Sequence, residues 1–212
     1  MALLIVLKKE PMLNKVKLTV LFTGIIAMMV SCSPKTISEK YYYENEHVLD
    51  KIEETYKELY HQKPFTIAFT DRGFQFVSVE IITDTLSYIY EFKVNEPRLT
   101  DTLLEYHLNA TKINYLIQQM QSIRCTWINN FNYYIDEKKN SLILMSIKPV
   151  ALKALFSYSK YYILTYFSQP QHFDSKGKLL DKRELRRYRK INGEVFKRIN
   201  DKVCYTISGK FR

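Results

Sequence analysis

The sequence predicts an α+β fold: a single domain with a mainly antiparallel sheet and helices packed on it. Three observations lead there. Segments rich in β-branched and aromatic residues come in clusters separated by short turn signals, and do not alternate singly with helices. Two long stretches carry apolar residues at helical spacing. The 212 residues are 46% hydrophobic and 25% charged, with only 5 Gly and 6 Pro. That composition excludes disordered and collagen-like chains, glycine-loop enzymes have no place in it, and no self-similarity recurs at a period of about 20 to 50 residues.

Each element has its own signal. Over Glu39 to His61, Tyr41, Val48, Ile52, Tyr56 and Leu59 form an apolar stripe opposite Glu44, Lys51, Glu54 and Lys57, a helix that Pro64 ends. Three strands of an antiparallel meander follow, Phe65 to Thr70, Phe74 to Thr83 and Leu86 to Val94, with Asp71-Arg72-Gly73 and Asp84 as turns. After Pro97, Thr100 or Asp101 can cap a helix to about Ile123, its apolar side built from Leu104, Leu108, Ile113, Leu116, Ile117 and Met120. Thr126 to Ile135 and Ser141 to Lys148 read as a hairpin across Asp136 to Asn140. Residues 151 to 168 carry two patterns, helical at Leu152, Leu155 and Phe156 and strand-like over Tyr161 to Phe167. Asp181 can cap a helix through Lys190, interrupted by Gly193, with a further helical turn to Ile199, and Val203 to Ser208 closes as a strand.

The first 31 residues stand apart. Lys15 and Lys17 precede an uncharged apolar run, Leu18 to Val30. At about 1.5 Å per residue this run reaches only about 20 Å, short of a hydrocarbon core of about 30 Å, so it reads as the apolar region of a signal peptide. Met29-Val30-Ser31-Cys32 supplies an apolar residue at −3, a small one at −1 and a Cys at +1. This arrangement resembles the lipobox of bacterial lipoproteins, and Met at −3 resembles the relaxed form found in the Bacteroidetes group. The resemblance implies cleavage before Cys32 and acylation of that Cys, a much stronger anchor than a single chain. Because Met12-Leu-Asn-Lys-Val-Lys forms a basic start by itself, translation is expected to begin at Met12. Residues 32 to 38 then form the lipidated Cys and a short tether, and 39 to 212 the domain. In that group acidic residues after the Cys mark surface export; their absence here favours the periplasmic face of the outer membrane.

The remaining chemistry is sparse. With Cys32 acylated, Cys125 and Cys204 are the two thiols left in a compartment that permits disulfides; they either bridge or pack as small buried residues. The four His have no paired-ligand spacing: Glu44 and His47 sit one helical turn apart without a second pair, so no metal or cofactor is expected. No nucleophile elbow or phosphate loop occurs. The adjacent Glu53 and Glu54 point to different sides of a helix, which suits solvation. Residues 172 to 212 hold thirteen Lys and Arg against five Asp and Glu, whereas 32 to 171 are nearly balanced. Arg183, Arg186, Arg187 and Arg189 in this basic end are candidates for contact with anionic lipid, an envelope polymer or another envelope protein, and nucleic acid is not an expected partner there. The adjacent tyrosines of 41 to 43, 133 to 134 and 161 to 162 cannot all face one core, so some rings are expected at the surface. Asp84-Thr85-Leu86 and Asp101-Thr102-Leu103 resemble the O-glycosylation sites of Bacteroidetes envelope proteins, with Thr85 and Thr102 as acceptors. Together these features describe a lipid-anchored envelope lipoprotein acting as a binding or structural module. The alternative is a lipid-anchored hydrolase or transferase acting on an envelope polymer.

Overall fold

The structure is a computed structural model that describes residues 33–135, 138–149, 160–181 and 186–210. The expected signal peptide, Cys32 and Arg183 lie outside the described residues, as does the helix pattern around Leu152 to Phe156. Residues 38–212 form one compact unit.

Helix α1 runs over Pro34–Gln62. It begins earlier than the apolar stripe predicts, because the Ser33 hydroxyl accepts the backbone N–H of Thr36 at 3.2 Å and caps the first turn. The expected tether is therefore mostly helix. Leu49, Ile52, Tyr56 and Leu59 on its inner face are buried, each contributing about 1.5–3 kcal/mol by burial. Two tyrosine hydroxyls fix its position: Tyr41 Oη donates to the Ile123 carbonyl at 2.8 Å, and Tyr56 Oη to the Phe65 carbonyl at 2.6 Å.

The meander follows as expected, with β1 at Phe65–Phe69, β2 at Phe76–Ile82 and β3 at Ser87–Lys93. Asp71 makes its first turn by accepting the N–H groups of Gly73, Gln75 and Phe76, each at 2.8 Å. Those N–H bonds, Phe76's foremost, hold its carboxyl below the usual range.

The single helix expected after Pro97 is instead two. Helix α2 covers Pro97–Glu105 and α3 covers Ala110–Ser122. Pro97 occupies the first turn, so neither Thr100 nor Asp101 caps it. His107, with φ of 57°, breaks the chain, and Asn109 caps α3 by accepting the Lys112 N–H. The break lets Leu99 and Leu103 of α2 and Ile113, Leu116, Ile117 and Met120 of α3 all be buried.

Strands β4 (Trp127–Ile135), β5 (Lys138–Pro149), β6 (Tyr161–Phe167) and β10 (Val203–Ser208) complete the main sheet. Its eight strands run β3-β2-β1-β4-β5-β6-β10-β9, all pairs antiparallel, where β9 is Lys197–Arg198. β5 is longer than expected and shifts register between Ser146 and Lys148.

The basic end differs most from expectation. In place of a helix to Lys190, Tyr188 bridges Leu180, and Lys190–Ile191 (β7) pairs with Glu194–Val195 (β8). Asn192 and Gly193 have φ of 50° and 79°. They form a two-residue hairpin turn of the kind that needs positive φ at both positions, so Gly193 turns a ribbon here and does not interrupt a helix. This segment lies over the second face of the sheet. Leu179, Ile191 and Phe196 pack there against Trp127, Leu142, Leu144, Ile163, Phe167 and Cys204. α1, α2 and α3 belong with the opposite face, where Ile67, Val79, Ile128, Met145 and Leu164 are buried. Among the described residues, no helix is long and apolar enough to cross a membrane.

Candidate functional site

The inner stripe of α1 has a neighbour. Tyr42, Glu46, Asp50, Glu53 and Lys57 follow one another at spacings of three or four, so they share one flank of the helix beside its core stripe. That flank forms one wall of two adjoining clefts, of about 580 Å³ and about 360 Å³, which have Glu53, Lys57, Tyr166 and Ser168 in common. The larger cleft is closed by the end of β6 and by Asn200 to Val203, the turn that enters β10. The smaller is closed by Asn130 and Asn132 of β4 and by Ser141 and Ile143 of β5, with Tyr60 and His61 at the end of α1. Because β4, β5 and β6 pair in register, their alternate residues aim at this wall together.

The electrostatics are uneven along the wall. Glu46 accepts a hydrogen bond from Tyr42 Oη at 2.9 Å, and Tyr42 Oη accepts one from Asn200 Nδ2 at 3.0 Å. Asp201 is engaged by Arg198 Nη2 at 2.7 Å. Glu53 has Lys57 Nζ only at 4.0 Å, and Asp50 accepts no hydrogen bond among the described residues. Partial desolvation raises the carboxyl pKa of the half-buried Glu53 and of the exposed Asp50, and neighbouring acids add to it: Glu46 and Glu54 at Asp50, where His47 pulls the other way, and Glu54 and Asp50 at Glu53. Lys57 and Lys202 pull Glu53 the other way.

The wall opposite the carboxylates is aromatic. Tyr166 is only 7% exposed, and its ring lies 6.5 Å from that of Tyr42. Its hydroxyl is buried without a hydrogen-bond partner, and burial, then the negative neighbours, pushes its ionisation well above the ordinary value. An orphaned buried hydroxyl costs about 1–3 kcal/mol, so its place in the wall of a cleft marks it as a group awaiting a partner.

The residues singled out from sequence are dispersed. Cys125 and Cys204 are free buried thiols. Cys125 leads into β4 and Cys204 lies in β10, three strands away, which is about 14 Å at the usual strand spacing. A disulfide needs Cα atoms about 4.4–6.8 Å apart, so the pairing left open by the sequence does not form. Burial also pushes the Cys125 thiol up to about 12, which makes it a poor nucleophile.

The arginines divide. Arg186 and Arg187 are exposed, whereas Arg189 is half-buried in the packing. Its guanidinium lies 4.5 Å from the Tyr133 ring centroid and 5.8 Å from that of Phe167, with Nη1 donating to Gln171 Oε1 at 2.9 Å. Thr85 is exposed in the turn between β2 and β3, and Thr102 is half-buried within α2. The tyrosine runs separate as strand and helix geometry demands: Tyr43 and Tyr134 are 59% and 70% exposed, Tyr42 and Tyr162 are buried. Among the described residues no group of three His, Cys, Asp or Glu is placed to hold a metal ion.

The cleft was missed by sequence reasoning, which weighed Glu53 only against Glu54. Glu54 is exposed as expected, but Glu53 faces the cleft. The available signal was the second stripe, Tyr42-Glu46-Asp50-Glu53-Lys57, running beside the apolar one. Comparison of the chain with family models, curated proteins and solved structures finds no match.

Proposed function

We propose that this protein is a lipid-anchored envelope lipoprotein whose folded unit is a binding module, held by an acylated Cys32 at the periplasmic face of the outer membrane. The binding half rests on one observation: a cleft beside α1, lined by Asp50 and Glu53, with an unpartnered buried hydroxyl, that of Tyr166, in its wall. The anchoring half rests on the order basic residues, uncharged run, Ser31 and Cys32. The exposed Arg186 and Arg187 add a basic face suited to anionic lipid, an envelope polymer or another envelope protein.

A second reading, a hydrolase or transferase acting on an envelope polymer, is favoured by Glu53, a carboxyl raised by burial in a cleft. Labelling cells with a clickable fatty acid tests the anchor. The protein should take up label and Cys32→Ala should not; equal labelling of both would overturn the reading. Loss of a natural ligand from Glu53→Gln with no accumulation of cleaved product in the unaltered protein separates binding from catalysis.

A further inference from the structure

We infer that the cleft between α1 and the sheet binds a primary ammonium group on an aliphatic chain, seated between the carboxylates of Asp50 and Glu53 and the rings of Tyr42 and Tyr166. The inference rests on the binding-module reading and supplies its ligand class.

The argument is one of unmet hydrogen-bonding capacity. On the helix side Asp50 accepts nothing among the described residues, and the Lys57 ammonium stays 4.0 Å from Glu53. Glu46 and Asp201 are already engaged, by Tyr42 and Arg198. The exposed Asp50 and the half-buried Glu53, on successive turns of one helix flank, therefore line the cleft with no hydrogen-bond donor on their carboxylates among the described residues. Opposite them stands the Tyr166 hydroxyl, buried and without a partner. An ammonium has three donors and no acceptor. Two of its N–H groups suit the carboxylates and the third suits the Tyr166 oxygen, while the aromatic rings accept the positive charge on their faces.

Other ligand classes fit less well. A divalent cation needs about six to eight converging oxygens, and no group of three metal-ligating side chains is placed for it among the described residues. An anion would meet Glu46, Asp50 and Glu53 across the larger cleft, with only Lys57 and Lys202 to offset them. The bias toward a cation is local, since the chain as a whole carries a formal net charge of +10. The amides of Asn130 and Asn132 and the hydroxyls of Ser141 and Ser168 continue the wall in the smaller cleft. With Lys139 also in that lining, they suit the peptide backbone beyond a lysine side chain better than the second ammonium of a free diamine.

The test uses the full chain in detergent, titrated calorimetrically with 1,5-diaminopentane, with a capped lysine dipeptide and with magnesium chloride. Saturable binding of one or both amines and none of magnesium is expected. Asp50→Asn combined with Glu53→Gln should weaken amine binding about tenfold or more, since charge-assisted hydrogen bonds are lost. Tyr166→Phe should weaken it several-fold while leaving the unfolding midpoint unchanged or higher, because a hydroxyl with no partner in the free protein stabilises nothing. If the dipeptide binds more tightly, the source of the ammonium is a polypeptide; if the diamine does, it is a small amine. Binding of magnesium alone, no amine binding, or amine binding indifferent to both variants would each overturn the inference. Failure here with Cys32 still acylated removes the ligand class and leaves the anchor. Failure of acylation with amine binding intact does the reverse.

Discussion

Truncating Arg189 should destabilise the protein, although in the sequence it looks like one of four equivalent surface charges. Its guanidinium over the Tyr133 ring at 4.5 Å contributes about 0.5–2 kcal/mol. The charged hydrogen bond to Gln171 Oε1 at 2.9 Å adds about 1.5–3 kcal/mol. Against these stands Nη2, buried without a partner, at a cost of about 1–3 kcal/mol. The balance is a loss of about 1.5 kcal/mol in Arg189→Ala, or about 3–6 °C in Tm for a domain of this size. Arg186→Gln and Arg187→Gln, both exposed, should stay within about 0.5 kcal/mol of the unaltered protein. Urea unfolding followed by fluorescence measures all three, because the single tryptophan, Trp127, is 5% exposed and packs in the same cluster as Phe167. If Arg189→Ala unfolds at the same urea concentration as Arg186→Gln, the guanidinium is a solvated charge and its packing role is wrong.

Two further outcomes probe the fold. Phe196→Ala should cost about 3–5 kcal/mol, since the ring is fully buried where the C-terminal segment covers the sheet; a cost under about 1 kcal/mol in chemical denaturation would mean that this face is not closed as described. Oxidised and reduced samples should share one mobility on a denaturing gel and one unfolding midpoint, because Cys125 and Cys204 are separate thiols, and a faster-migrating oxidised form abolished by Cys204→Ser would refute that.

Local chemistry was strong enough to be read directly in the first half of the chain. The C-terminal part of the α1 stripe (Ile52, Tyr56, Leu59), the meander with its Asp71 and Asp84 turns, and the α+β class with an antiparallel sheet all follow from short-range periodicity and turn residues. In the first part of α1, by contrast, Tyr42 and Leu49 are buried in place of the expected Tyr41 and Val48. One further local signal was present but overridden: Ile191-Asn192-Gly193-Glu194 is a hairpin sequence, yet the flanking run of Lys and Arg resembles a helix face. Charge is a weak guide to secondary structure, and the positive-φ pair decided.

What no local reading could supply are relations between distant segments. The break at His107, where φ is 57°, turns Leu99 and Leu103 of α2 into the core and leaves Leu104, expected on the apolar side, 57% exposed. Arg189 leaves the surface because strand order brings Tyr133 and Phe167 beneath it. Cys125 and Cys204 stay apart because two strands, β5 and β6, lie between β4 and β10. The cleft is the same kind of fact. Asp50 and Glu53 are ordinary acids on a helix until β6 sets Tyr166 across from them, because desolvation and an unpartnered hydroxyl depend on which surfaces the packed chain brings together, and sequence spacing does not encode that.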